Sequence, residues 1–567
     1  MGHAVNFRYL IAAGGLIIVF CLQSFFLARN MSPTFDEPPH IAAGLSYLAT
    51  RNFRANPQHP PLIKEMSALF AMLGGIRWPD NPETASLFQG PDSTTSQPEW
   101  QIGTSIITNN GPDRVLFWAR LPMMLLAALL GVVIYSWGRE LLGETAALCA
   151  LLLYAFDPII LAHSSLVTTD VGVAAFSTLF FMALWRYLCS PTNARLLMAG
   201  LALGAAMSAK FSAVLLPPLA GVLMLAASSV WSPDDGPVKQ RRKLRRQKSK
   251  EGPILYERKI LGPLLILGAM LGIAAIVIQS VYLFSSNPFL YVKGFQRVNA
   301  DHDPDYLYFL AGELRPRFLS YFAVGYLLKE PLATILLTLT GAIIWAGRRT
   351  VVPLKKAFLF VPPAALFGAY TFKADNIGIR YIIPVLPFAF LLGGVALANL
   401  VRSGSIWKRS LAVVAILWIV SAAAGIYPDQ MSYFNEAACL LKDYKQTGLD
   451  GGSRCGPYWL DDQNVDWGQG TKRLKAWLDQ NAPGRKIKWA HFVVFPPAAY
   501  GIEAEKIDPL ELVQNPPKAG LYVVSGHYVA RLTSFSDSFH ESAGAWLPRT
   551  PPTAVIAHSL YVYDVKP

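Results

Sequence analysis

The chain has 567 residues, 53% of them hydrophobic and only 15% charged, with a mean hydropathy of +0.33. Soluble domains carry about 25% charged residues, so this composition excludes one large water-soluble globule and implies a polytopic membrane protein. The net charge of +13 raises the question of nucleic acid, but the densest basic run, Lys239–Lys250, lies between two apolar stretches. A cytoplasmic topology anchor touching anionic lipid headgroups explains it, and no nucleic-acid partner is expected.

Apolar stretches run near 9–28, 115–136, 144–162, 171–188, 194–209, 211–230, 260–283, 331–347, 357–372, 379–401 and 410–427. Judged against the ~20 residues a spanning helix needs, that is about eleven spans, two of them short. The first has no small-residue cleavage site after it and reads as a retained signal anchor. With Arg8 inside, alternate loops should be basic, and they are: Arg139, Arg195, the 239–250 run, Arg348, Arg349, Lys355, Lys356, Arg402, Lys408 and Arg409. This puts the N-terminus in the cytoplasm and residues 29–113, 284–330 and 428–567 outside. The expected division is a transmembrane unit, 1–427, and a soluble extracytoplasmic α/β domain, 428–567.

The large first loop, 29–113, opens on Thr34-Phe35-Asp36-Glu37-Pro38-Pro39-His40, and His59-Pro60-Pro61-Leu62 follows. Two adjacent carboxylates at the edge of a bilayer are expensive to desolvate and mark a functional site by default. The paired prolines stiffen the backbone around them. The plainer alternative is that the acids cap the next helix. Residues 36–75 read as two amphipathic helices broken near Asn52–Pro57 and suited to lying along the interface, and 77–112 as an irregular loop. In 284–330, Asp301-His302-Asp303-Pro304-Asp305 lacks the glycine and distal glutamate of a calcium loop.

In the tail, Thr471–Leu478 has helical periodicity, while Lys486–Val494, Gly520–Val529 and Ala554–Val565 read as strands. Of five cysteines, Cys439 and Cys455 fall in this exported part, where an oxidising compartment would permit a disulfide across a Gly-rich connection. Metal-ligand spacing of the Cys/His type does not occur.

Charged groups at the outer ends of spans suggest one shared site: Asp36 and Glu37, Arg114 and Arg120, Asp170, Lys210 and Arg380. Cations there would hold phosphate oxygens of a lipid-linked substrate, and a carboxylate would take a proton from an incoming acceptor. Each has a plainer reading. Arg114 and Arg120 could snorkel, Asp170 could cap its helix, and Lys210 could anchor at the interface.

Asp36-Glu37 after the first span, Pro60-Pro61-Leu62, Thr168-Thr169-Asp170, Lys210 and Arg380-Tyr381-Ile382-Ile383-Pro384, in this order and topology, resemble the C-type glycosyltransferases that use polyprenyl-phosphate sugars. Bacterial protein O-mannosyltransferase-like and aminoarabinose-transferase-like enzymes are the branch concerned. The tail motifs Tyr433-Phe434-Asn435-Glu436 and Asn464-Val465-Asp466-Trp467-Gly468-Gln469 are similar to a bacterial group of it. The resemblance implies Asp36 as general base or acceptor-orienting acid and Asp170 as second acid; Glu37 is a further catalytic candidate, supporting Asp36 or exchanging roles with it. It implies Lys210, Arg380 and Arg120 as donor-phosphate ligands. His59, a possible site-lining residue, stands where aminoarabinose transferases have a lysine, so their lysine's role does not carry over. The expected donor is a polyprenyl-phosphate sugar, the acceptor a protein, lipid or glycan, and the surroundings membrane lipid. No cofactor is required, although Asp36, Glu37 and Asp170 could bind a divalent metal. The alternative is a transporter or flippase of a lipid-linked or anionic substrate, since intramembrane charges also mark such pathways.

Overall fold

The structure, a computed structural model, describes residues 7–82, 84, 98–230, 255–301, 303–493, 495–539 and 546–566. The basic run 239–250, part of the 77–112 loop, His302 and the end of the first expected tail strand lie outside the described residues. Each of the eleven apolar stretches carries helix. Six described helices are long and apolar enough to cross a membrane: Phe7–Asn30, Pro112–Leu142, Thr169–Cys189, Gly262–Val281, Ile379–Val401 and Ile406–Gly425. A pair, Tyr321–Lys329 and Leu332–Gly347, bends by 113° and would make a seventh. Others are interrupted for local reasons. Asp157 caps Pro158–His163 by accepting from the Ile160 N–H at 2.7 Å, which ends the preceding helix, Glu144–Ala155. The chain is a membrane protein that is mostly helical, with a sheet near its C-terminus.

In the first loop the two expected helices are Glu37–Thr50 and Leu62–Leu73. The first does not lie on an interface, because every residue from Glu37 to Tyr47 is buried. Glycine makes that possible on two sides. A Cβ on Gly44 would meet the Lys64 carbonyl oxygen at 2.1 Å, and one on Gly103 would meet that of Pro38 at 2.0 Å. Gly103 belongs to a helix, Pro98–Asn109, in a stretch expected to be irregular. Ile102, Ile106 and Ile107, at helical spacing, bury one face there, which outweighs the polar composition around them.

The tail holds strands β3 (Ile487–Ala490), β4 (Ala504–Lys506), β5 (Gly520–Ser525), β6 (Ala554–Ile556) and β7 (Leu560–Val565); β1 and β2 form a separate hairpin at 308–315. The order is β4-β3-β5-β7-β6, with β3 parallel to β4 and β5, and β7 antiparallel to β5 and β6. Both faces are buried in period two. Leu521 and Val523 pack with Leu474 and Leu478 of helix Thr471–Asn481, whereas Tyr522 and Val524 pack with Leu532 and Trp546. The expected strand Gly520–Val529 stops early: the Ser525 hydroxyl accepts from the His527 N–H at 3.3 Å and helix Gly526–Phe539 begins. Ala554–Val565 is likewise two strands, turned at Ala557 and His558, both at positive φ. Cys439 and Cys455 are disulfide-bonded, with Cα atoms 5.2 Å apart.

This tail is fastened across the first loop. The Ser32 and Phe35 N–H groups each donate at 3.0 Å, to the Gln469 and Trp467 carbonyls respectively. Lys329 Nζ donates to the Met431 and Asn464 carbonyls at 2.7 and 2.6 Å.

Candidate active site

Asp36 occupies the N-cap position of Glu37–Thr50 but makes no side-chain cap bond. Its Oδ2 instead accepts from Arg380 NH1 at 2.6 Å. Arg380 stands on a 3-10 turn, Ile379–Val385, whose first N–H donates to the tail's Asn464 Oδ1 at 3.1 Å. The same Arg380 nitrogen lies 3.7 Å from Asp170 Oδ2. Asp170, in the first turn of Thr169–Cys189, accepts from Lys210 Nζ through Oδ1 at 2.6 Å. Lys210 can reach it because helix Asn193–Ala209 ends there, with Lys210 itself extended at φ −153°. Four charges from four separate elements thus form one row: Lys210, Asp170, Arg380, Asp36. Side-chain exposure is 1% at Asp170, 10% at Arg380, 12% at Lys210 and 15% at Asp36, so Asp170 is the closed centre of the row and Asp36 its more open end.

Aromatic rings wall the row. The Trp467 ring centre is 4.5 Å from the Arg380 guanidinium, and Tyr381 faces Lys210 at 4.6 Å. Three buried polar atoms beside it, Asp170 Oδ2, Arg380 Nε and His163 Nδ1, have no hydrogen-bond partner among the described residues. Buried groups are ordinarily satisfied, so unused donors and acceptors here suit a site built for a polar ligand. His59 faces His40 edge-on, with ring centres 5.2 Å apart. Burial, and then the charges of His40, Lys210, Lys64 and Arg380, push its pKa well below the ordinary value.

Glu37 and Arg120 stand apart from this row, contrary to expectation. Arg120 Nε and NH2 donate to the two Glu37 oxygens at 2.8 and 2.6 Å, and both side chains are fully buried. The other Arg120 hydrogens go to the carbonyls of Ala28, Met31 and Ser32 at 2.8–3.0 Å. All five N–H groups are occupied, leaving none for a donor phosphate. Glu37 also accepts from Thr34 and from the Val167 N–H, which leaves no lone pair facing the row. Burial would raise its pKa, but Arg120 and these donors hold it below the usual carboxylate value. Arg114 is tied elsewhere, to the Gly74 carbonyl at 2.8 Å.

Residues 101–234 match the family model for dolichyl-phosphate-mannose-protein mannosyltransferase. That segment carries Arg120, Asp170 and Lys210 and ends before Arg380. The glycosyltransferase resemblance is met by this match, from which the transporter alternative receives no support. No curated protein matches the chain. Among solved structures, ArnT from Cupriavidus metallidurans in the apo state is 14% identical, at 98% coverage of both chains and a TM-score of 0.46. The same protein bound to undecaprenyl phosphate is 13% identical, at 99% coverage of both and 0.45. The apo oligosaccharyltransferase of Archaeoglobus fulgidus is 12% identical, covering 95% of this chain and 72% of its own, with a TM-score of 0.43.

Sequence reasoning did not place Trp467, Asn464, Tyr381 or His163 in the site. In sequence the Asn464–Gln469 motif reads only as a mark of the tail. No group of three or more His, Cys, Asp or Glu side chains placed to hold a metal occurs among the described residues.

Proposed function

We propose that this chain is an inverting glycosyltransferase that moves one sugar from a polyprenyl phosphate to an acceptor at the outer face of the cytoplasmic membrane. The observation that supports it best is the row Lys210–Asp170–Arg380–Asp36, in which cations alternate with carboxylates. A phosphate can replace carboxylate oxygens on Lys210 and Arg380 without leaving either cation unpaired, and arginine can grip it bidentately. As the bond from sugar to phosphate breaks, negative charge grows on oxygens already held by those cations. Asp36 at the open end orients the acceptor hydroxyl or takes its proton, and Asp170 keeps the two cations apart and aligned. Attack from the side opposite the leaving phosphate inverts the anomeric carbon.

In this reading residues 1–427 form the transferase unit. Residues 428–567 form an extracytoplasmic unit whose Trp467 and Asn464 complete the site. The basic residues of alternate loops support a cytoplasmic N-terminus and an exported tail. The donor carries an activated leaving group, so the scheme calls on no metal.

The test is sugar transfer by purified protein in lipid discs, given synthetic polyprenyl-phosphate mannose and other sugars together with hydroxyl acceptors. Release of polyprenyl phosphate coupled to acceptor modification is expected. Movement of intact donor across a sealed bilayer without its consumption would favour a flippase instead.

A further inference from the structure

We propose that His40, one helical turn after Asp36, is the base that takes the proton from the acceptor hydroxyl; this rests on the transferase reading above. His40 Nδ1 lies 2.7 Å from the Val167 carbonyl oxygen. A carbonyl can only accept, so Nδ1 carries the hydrogen and Nε2 keeps its lone pair. Nε2 makes no hydrogen bond with any of the described residues. The ring is buried and faces His59. The charged groups around it are Asp36 on its own turn, Lys64 from helix Leu62–Leu73 and Arg380 from the 3-10 turn.

Asp36 is the weaker candidate because Arg380 already holds its Oδ2 at 2.6 Å. That contact occupies the carboxylate oxygen an acceptor hydroxyl would need, whereas the Nε2 lone pair of His40 is engaged by no described residue. Burial, opposed in part by Asp36, pushes His40 below its ordinary value, so it is neutral at pH 7 and ready to accept.

The buried clamp acquires a purpose in this arrangement. Glu37 Oε1 accepts the Val167 N–H at 3.1 Å, while the carbonyl of the same residue accepts the His40 Nδ1–H. Arg120 fixes Glu37, Glu37 fixes Val167, and Val167 sets the tautomer and direction of His40. A base oriented by a third group is the recurring arrangement for activating a hydroxyl nucleophile. Glu37 and Arg120 are then positioning residues.

The step balances as follows. The acceptor O–H bond breaks, its proton goes to Nε2, and the oxygen pair forms the new bond to the anomeric carbon. The old bond from that carbon to the phosphate oxygen breaks with its electrons on the phosphate, beside Lys210 and Arg380. The imidazolium afterwards gives its proton to water.

His40→Asn tests this, because the asparagine amide nitrogen sits near the place of Nδ1 and can still donate to Val167, while no base remains. Turnover should fall roughly a hundredfold with little change in donor requirement. The parent's acid limb, with a midpoint below about 6.5, should vanish. Added imidazole should restore part of the activity of His40→Gly, which separates lost chemistry from a damaged fold. An His40→Asn variant at parental turnover, or an acid limb that survives in it, overturns the proposal. A parent that consumes no donor overturns the transferase reading and His40's role with it, whereas an active parent beside an equally active His40→Asn overturns His40 alone.

Discussion

Asp36 and Glu37 leave one stretch of backbone for two neighbourhoods built on opposite principles. Glu37 enters a closed clamp in which Arg120 has all five hydrogens occupied and neither side chain reaches solvent. Asp36 enters an open row, partly exposed, with unpaired buried atoms at Arg380 and Asp170 close by. Both are ion pairs between a carboxylate and an arginine at 2.6 Å, so the distance alone does not separate a structural pair from a site. Saturation does. A pair with every lone pair and hydrogen engaged can hold the fold but can offer nothing to a substrate.

The sharpest way to break that contrast is to remove the clamp. Arg120→Ala leaves the Glu37 charge buried and unpaired, which should cost about 3–5 kcal/mol. Lowered yield of folded protein and a large fall in melting temperature in detergent are the expected outcomes. A variant that melts like the parent would show that the clamp carries no structural load.

The open row should respond the other way. Asp36→Asn keeps size and most contacts, so the melting temperature should hardly move while turnover falls roughly a hundredfold, as the acceptor loses the carboxylate that orients it beside His40. Turnover near normal would take Asp36 out of the mechanism. A smaller effect is expected at the other end of the row. Lys210→Ala should raise the donor concentration needed for half-maximal rate about tenfold, in line with the loss of one charge-assisted contact. Acceptor requirement should stay nearly constant, and a change confined to the acceptor would contradict the placement of phosphate at Lys210.

The contrast also marks where the sequence stops being informative. Helix positions were legible because each apolar stretch is a local property of the chain. That Asp36, Arg380, Asp170 and Lys210 would meet was legible because charges at the outer ends of apolar stretches fall at one depth. That Arg120 would be consumed by Glu37, 83 positions away, was not legible. A charge at the end of a span looks the same whether its partner is a carboxylate or a ligand. Trp467 and Asn464 escaped for a related reason: their motif lies in the tail, and only the fold returns it to Arg380. The helix Pro98–Asn109 was missed because its polar composition masked the isoleucines that bury it against Pro38. Val167 and His40 were hidden more deeply, since a backbone carbonyl that sets a tautomer leaves no mark on residue type.

The smallest expected effect is in pH and follows from the closed side of the comparison. Burial would raise the Glu37 pKa, but Arg120 and the Thr34 and Val167 N–H groups outweigh it and hold the carboxyl below its ordinary value near 4.5. A carboxylate depressed on folding contributes stability that is complete above its unfolded pKa and is lost as pH falls through the folded one. The parent should therefore melt progressively lower as pH drops below about 4.5. Asp461 and Asp466 in the tail are depressed as well, by His527 with Arg531 and by His491 respectively, so the parent's slope alone does not isolate Glu37. The difference between parent and Glu37→Gln does. Glutamine cannot titrate, so that variant should start less stable at neutral pH and show a shallower acid decline, the two curves drawing together as Glu37 protonates. Parallel curves down to the lowest pH at which both stay folded would mean that Glu37 is not held as a charged partner of Arg120, and the distinction between the closed clamp and the open row would fail at its structural end.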